Sequence, residues 1–247
     1  MDRLLEATAR VEVRHFWFVG LRRYARALLD RSLGVDHSRM ILDCGSGTGY
    51  NLTWLPEYGW AMGVELSETG LALSREGLHR LARATVTRLP CPDASFDLVT
   101  SFDVLYSLSD DDEAVAIREM WRVLKPGGVA LVNVAALDIL RGSHSVLANE
   151  VRRYSKASLR AKLGAAGFRV ERITSTNLST LPLVLAVRLA QRLRGTATAA
   201  DESEIRTPRK RVNRALTRLL EIEAWWVRRG IRLPVGSSIM CVARKPR

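Results

Sequence analysis

Residues 41–51 read ILDCGSGTGYN. A short apolar run leads into an acid, Asp43, and glycines follow at every second position: Gly45, Gly47 and Gly49. Glycines straight after a strand let the backbone approach a ligand closely, and the N–H groups that open the next helix have no partner within it. Such a loop suits a nucleotide-like cofactor. A phosphate-gripping GxxxxGK[ST] loop is absent, and the spacing is GxGxG where a dinucleotide fingerprint has GxGxxG. A second acid, Glu65, ends the next apolar run, GWAMGVEL, about 20 residues on, where a carboxylate can accept hydrogen bonds from two ribose hydroxyls.

These residues need a scaffold that ends several strands at one edge, and the surrounding pattern supplies it. RMILDC (39–44) reads as a buried strand and YNLTWLPEY (50–58) as the start of a helix. GWAMGVEL (59–66) is a second strand, and SETGLALSREGLHRLA (67–82) a helix capped by Ser67. TVTRL (85–89) reads as a third strand and SFDLVTSFDVLYSL (95–108) holds a fourth. DDDEAVAIREMWRVLK (110–125) is an amphipathic helix with its acids at the favoured N-terminal end. PGG then turns into a fifth strand, VALVNVAA (129–136). Alternating strands and helices mean a parallel sheet with crossover helices. Residues 2–33 read as one helix stopped by Gly34. A helix over 155–167, a strand FRVERITST (168–176), a basic helical stretch over 178–232 and a strand GSSIMCVARK (236–245) complete the chain.

The 247 residues are 47% hydrophobic, enough for one domain with a full core and an appended subdomain. No uncharged apolar run reaches the roughly 18 residues of a spanning helix. The charged N-terminus lacks a signal-like apolar segment, and Cys44, Cys91 and Cys241 suit neither a disulfide framework nor a zinc site, so a reducing cytoplasm fits. The net charge of +12 leaves four readings open: an arginine-rich surface, an anionic substrate, a nucleic acid or an anionic membrane face.

ILDCGSGTGYN, GVELS, LPCPDASFDLVTSFDVL and REMWRVLKPGGVALVNV resemble, in order, the consecutive motifs of class I S-adenosylmethionine (SAM)-dependent methyltransferases over residues 39–135. The resemblance implies a doubly wound, Rossmann-like α/β fold with a seven-stranded sheet of order 3-2-1-4-5-7-6, the last strand antiparallel, and SAM as cofactor. It implies a single methyltransferase domain over 1–247, with a helical lid (1–34), a SAM-binding core (39–174) and a helical insertion (175–235) before the last strand. Gly45, Ser46 and Gly47, with Gly49 closing the loop, would pack against the methionine part of SAM, and Asp43 would orient that end. Glu65 would hold the ribose, Leu66 would line the adenine pocket, and Thr85 and Val86, where many members carry an acid, would reach the adenine. Asp103 would face the methyl-transfer site.

The flanks RHFWFVGLRR (14–23) and GSHSVLANEVRRYSKASL (142–159) resemble a bacterial subgroup in which the aromatic helix, with Phe16 and Trp17, and the RRY segment cover the cofactor. Two positions depart from it: Tyr106-Ser107 replaces a Glu-His pair, and Glu150 replaces a histidine before RRY.

Methyl transfer to an activated sulfonium needs positioning and dryness, and a general base where the nucleophile arrives protonated. Candidates are Tyr154, His144, Tyr106, Glu150 and Asp103. The leading expectation is a small-molecule acceptor, such as a saccharide or secondary-metabolite intermediate. The rivals are an RNA methyltransferase and a catalytically silent SAM-fold module. Nucleic acid ranks below a small molecule because the [DNS]PP[YFW] motif is absent. The basic helical insertion carries the alternative of peripheral contact with an anionic membrane.

Overall fold

The computed structural model describes residues 2–34, 36–74, 80–193 and 206–247, with the side chains of 143 and 144 excepted. Its centre is a seven-stranded sheet in the order β3-β2-β1-β4-β5-β7-β6. The strands are β1 Met40–Cys44, β2 Trp60–Glu65, β3 Leu81–Arg83, β4 Phe96–Phe102, β5 Leu124–Ala135, β6 Arg169–Thr176 and β7 Ser238–Arg244. β7 runs antiparallel to both β5 and β6, and the remaining pairs are parallel. β1 sits between β2 and β4, so the strand order reverses there and opens a crevice beyond the strands' carboxyl ends.

The buried run Val129–Val134, apolar but for Asn133, explains the central place of β5, since a strand covered on both faces reads as a near-continuous apolar sequence. β5 starts at Leu124, earlier than its hydrophobic run, because a register shift against β4 takes up the Pro-Gly-Gly. On one face lie α4 (Asp110–Val123) and α6 (Lys156–Ala165). Ser109 caps α4 by accepting from the Asp112 N–H, and Ser155 caps α6 from the Ser158 N–H, each worth about 1 kcal/mol.

On the other face lie α2 (Phe16–Ser32) and α8 (Lys210–Arg228). Leu220, Glu223, Ala224 and Val227 recur at helical spacing on the inner side of α8. A Cβ at Gly20 would come within 2.5 Å of Leu220 Cδ1, so glycine is what lets α2 and α8 approach so closely. The Tyr24 hydroxyl donates to Glu223 Oε2 (2.7 Å), and Glu223 also accepts from the Leu178 and Ser179 N–H groups. A buried carboxylate thereby locks both helices to the chain leaving β6.

Three expectations are corrected. Residues 2–33 form two helices, α1 (Asp2–Val11) and α2, separated by a turn at 12–15. His15 caps α2 by accepting from the Trp17 N–H at Nδ1, and Arg22 satisfies the carbonyls of Glu12 and Val13. Residues 50–58 form two short 3-10 turns, since Gly49 at φ +75° breaks the entry and Pro56 supplies no N–H. The third strand is Leu81–Arg83, paired with Gly63–Glu65, and it replaces the strand expected at 85–89. Residues 85–87 turn instead, with the Thr87 N–H donating to Thr85 Oγ1. Ser67 does cap α3 (Glu68–Leu73), while the expected continuation through 75–79 lies outside the described residues.

α5 (Ser143–Leu147) follows β5, and α7 (Leu181–Leu193) lies between β6 and α8. No helix among the described residues is long and apolar enough to cross a membrane.

Candidate active site

A cavity of about 720 Å³ occupies the crevice. Its floor is the glycine loop after β1, the end of β2 and the turn after β4; α1, α2 and α7 supply part of its wall. Gly45, Ser46, Gly47, Glu65, Leu66, Thr85, Val86, Asp103, Phe16 and Trp17 all line it, as do Tyr106 and Glu150.

The loop explains its own composition. Gly45 (φ +75°) and Gly47 (φ +56°) lie in the left-handed region, and a Cβ at Gly45 would sit 2.4 Å from Val104 Cγ2. Glu65 holds the loop open: its Oε2 accepts from the Gly47 N–H (2.7 Å), and its Oε1 from the Leu66 (2.9 Å) and Ser67 (2.8 Å) N–H groups. Carboxylate oxygens accept more than one bond each, so Glu65 retains capacity for ligand hydroxyls.

Two residues expected at the cofactor lie behind the wall. Asp43 is fully buried, with Oδ1 accepting from Thr100 Oγ1 (2.6 Å) and Oδ2 from Asn51 Nδ2 (3.1 Å). Burial pushes its carboxyl up to about 6 against those bonds. Asp43 therefore braces the loop from beneath. Gly49 packs against Ser74 and Leu81, where a Cβ would come within 2.5 Å of Ser74 Oγ, and it also does not line the cavity.

Of the catalytic candidates, Tyr154 is displaced. Its hydroxyl donates to Glu113 Oε1 (2.7 Å) on α4, and its ring is buried among the apolar residues under α4 and α6. Tyr154 forms an isolated bridge with Ala136 just after β5, which turns its side chain away from the cavity. Arg152 goes the same way, pairing with Glu113 (3.1 Å) and Asp110 (3.1 Å). The His144 side chain lies outside the described residues.

Glu150 and Tyr106 do reach the cavity, and with them comes Arg153. Arg153 pairs with Glu150 and donates to the carbonyls of Ala136 and Leu137 and to Ser145 Oγ. Beside this pair stands Asp103, held at φ +60°. Its Oδ1 accepts from Asn133 Nδ2 (2.9 Å), and among the described residues Oδ2 has no hydrogen-bond donor. Burial pushes the Asp103 carboxyl up to about 7; the Asn133 bond opposes the shift, Glu150 adds to it and Arg153 opposes it. A carboxyl titrating near neutrality at the mouth of a cofactor loop can move a proton. Burial likewise raises the Tyr106 phenol, so it stays protonated and can only donate or orient.

Glu12 and Arg22 were not singled out in the sequence. Both line the cavity beside the glycine loop. The Thr48 hydroxyl donates to Glu12, whose carboxyl is raised by burial against the Thr48 bond and the Arg22 charge. The Arg22 guanidinium lies 4.7 Å from the centre of the Tyr50 ring. His15 also lines the cavity, but burial lowers it to about 4, so it is neutral at pH 7 and serves as a cap.

A glycine loop after β1, an acid closing β2 and a shared cavity at the strand ends, on a sheet of this order, define a Rossmann-like methyltransferase fold. Residues 42–132 match the family model described as a methyltransferase domain. Over this stretch the chain is similar to SAM-dependent methyltransferases. It is 32% identical over 149 residues to the ubiquinone/menaquinone biosynthesis C-methyltransferase UbiE of Pseudoalteromonas translucida, covering 55% of this chain and 57% of that one. It is 30% identical over 162 residues to a protein of Mycolicibacterium smegmatis named a probable SAM-dependent methyltransferase, covering 64% of this chain and 61% of that one. The chain thus spans about 60% of the length of these curated relatives. The same fold occurs in a structure described as a complex of the Haloferax volcanii Trm112 methyltransferase activator with a methyltransferase: TM-score 0.60, 21% identity, 98% of this chain and 94% of that one.

Proposed function

We propose that this protein transfers a methyl group from SAM to a small-molecule acceptor held in the same cavity. The observation that carries the reading is that one cavity joins the glycine loop and Glu65 to the cluster of Asp103, Tyr106, Glu150 and Arg153. The residues present fit SAM. Glu65 would hold the ribose hydroxyls, and Leu66, Thr85 and Val86, which line the same cavity, would flank the base. Arg22 and Glu12 offer opposite charges to an amino-acid end. When bound, SAM supplies an electrophilic methyl that needs no further activation.

The chain's own residues supply the rest. Phe16, Trp17 and Val184 enclose the space and limit water. Asp103, in its ionised form, accepts the proton of an acceptor hydroxyl or amine, and Tyr106 orients that group. Arg153 holds Glu150 in place through its carbonyl and carboxylate bonds.

The volume lies inside the ~300–1,000 Å³ range of small-ligand sites, which favours a small acceptor over RNA. A saccharide or a secondary-metabolite intermediate fits the polar rim that Asp103, Glu150 and Arg153 provide. Calorimetry with SAM, S-adenosylhomocysteine and NAD tests the cofactor. NAD binding without SAM binding overturns the reading. Methyl-labelled SAM incubated with separated small-molecule and RNA fractions tests the acceptor, and label confined to RNA would replace the small acceptor with a nucleic acid.

A further inference from the structure

α8 is apolar on two sides. Its inner side packs on α2, as described above. On its outer side Val212, Leu219, Ile222 and Trp226 recur at helical spacing and are 37% to 50% exposed. Arg211, Arg214 and Arg218, all exposed, run alongside this stripe. Arg229, just beyond the helix, stacks over the Trp225 ring at 4.0 Å. The helix has two acids. Glu223 is buried against Tyr24, and Glu221 pairs with Arg23 (3.3 Å). The charge left on the outer side is positive. α7 also presents apolar residues outward, Leu183, Val187 and Leu189, while Arg188 lines the cavity.

From this arrangement we infer that the outer face of α8 docks on an anionic lipid surface, the stripe entering the acyl boundary and the arginines meeting headgroup phosphates. Charge complementarity selects this occupant. A symmetric contact with a second copy of α8 would set arginine rows against arginine rows, which repel. A nucleic acid would engage the arginines and leave the stripe in water. A bilayer with acidic lipids takes both at once: a 19-residue helix with a narrow apolar stripe, flanking cations and a terminal tryptophan pair matches an interfacial helix. Docking on the arginine side also gives the net charge of +12 a use that methyl transfer itself does not require.

The test is co-sedimentation of the full chain with vesicles of phosphatidylcholine alone and of phosphatidylcholine mixed with phosphatidylglycerol. The expected result is binding to the mixed vesicles only, weakening as salt rises. Arg214→Glu with Arg218→Glu should reduce partitioning roughly tenfold or more, and Ile222→Glu should reduce it comparably. These positions are exposed, and thermal melting and SAM calorimetry on each variant show whether fold and cofactor site survive. SAM binding and vesicle binding are separate readouts, so failure of one does not imply failure of the other. The inference is overturned by any of four results: no binding to the mixed vesicles; equal binding to both compositions; a dimer in sedimentation equilibrium that Ile222→Glu dissociates; or RNA competing the protein off the mixed vesicles with Ile222→Glu without effect.

Discussion

The Thr48 hydroxyl lies 2.8 Å from both carboxylate oxygens of Glu12, which fastens the end of α1 to the glycine loop. This contact joins residues 36 apart at the inner wall of the cavity. Glu12→Ala removes it and the negative charge beside Arg22. A hydrogen bond to a charged group is worth about 1.5–3 kcal/mol, so SAM affinity should fall about tenfold or more. Thr48→Val should give a similar loss by calorimetry, and the double variant should lose less than the sum of the two. Additive losses would mean that the two residues act separately.

Glu65→Ala releases the Gly47, Leu66 and Ser67 N–H groups together and leaves ribose hydroxyls without an acceptor. SAM affinity should drop about tenfold or more, with Glu65→Gln in between. Unchanged calorimetric affinity in a folded Glu65→Ala protein would remove the residue from the cofactor site.

Asp103→Asn keeps the shape and removes the base. Turnover should fall about a hundredfold or more. The pH profile carries the sign. In the proposed reaction ionised Asp103 is the active form, so the wild-type rate should rise through about pH 7 and level off, and the variant should lose that limb. Stability runs the other way. The folded carboxyl sits above its ordinary value of 3.8, so the protonated form favours folding below that value, and the contribution is lost as pH rises to about 7. Denaturant unfolding between pH 4 and 8 should show wild type losing stability relative to Asp103→Asn across that window. A constant difference would refute the assignment without an acceptor in hand.

Tyr154→Phe should leave the methyl-transfer rate and SAM affinity unchanged, because the hydroxyl serves Glu113 away from the cavity. It should cost about 1.5–3 kcal/mol of stability by denaturant unfolding. Glu113 keeps Lys162 (2.8 Å) and Arg152 (3.1 Å), which sets the loss toward the lower end. A large fall in turnover at unchanged stability would restore Tyr154 to the site.

The sheet order was legible through the resemblance, and all strands but the short β3 also announce themselves locally. Asp43 and Glu65 stand at or next to the ends of β1 and β2, and the buried run of β5 is apolar but for Asn133. The glycine loop and Asp103 follow from the same strand ends. What the sequence did not disclose depends on distant contacts. Glu12 gains its position because α1 stops short and the chain turns toward Thr48. Nothing in RVEVRHF distinguishes that turn from a continuing helix except the β-branched valines, whose propensity penalty is small. Tyr154 and Arg153 are neighbours in RRY, yet a bridge to Ala136 sends one to α4 and the other to the cavity. Alternation decides that split, and its phase is fixed only by the pairing.

Gly20 lies so close to Leu220 that α2 cannot swing away from α8 without breaking the Tyr24–Glu223 bond as well. α1 is held far more lightly. Ala7 is its one buried residue, and Ser67–Asp2 and, just beyond its end, Thr48–Glu12 are among the side-chain ties that hold it to α3 and the glycine loop. In the proposed reaction, admission and discharge of the nucleoside would then fall to α1 and the turn that follows it. Detachment of α1, rather than the bond-making step, would then set the pace of the proposed methyl transfer, and a cross-link between α1 and α3 should abolish turnover while leaving already trapped cofactor in place.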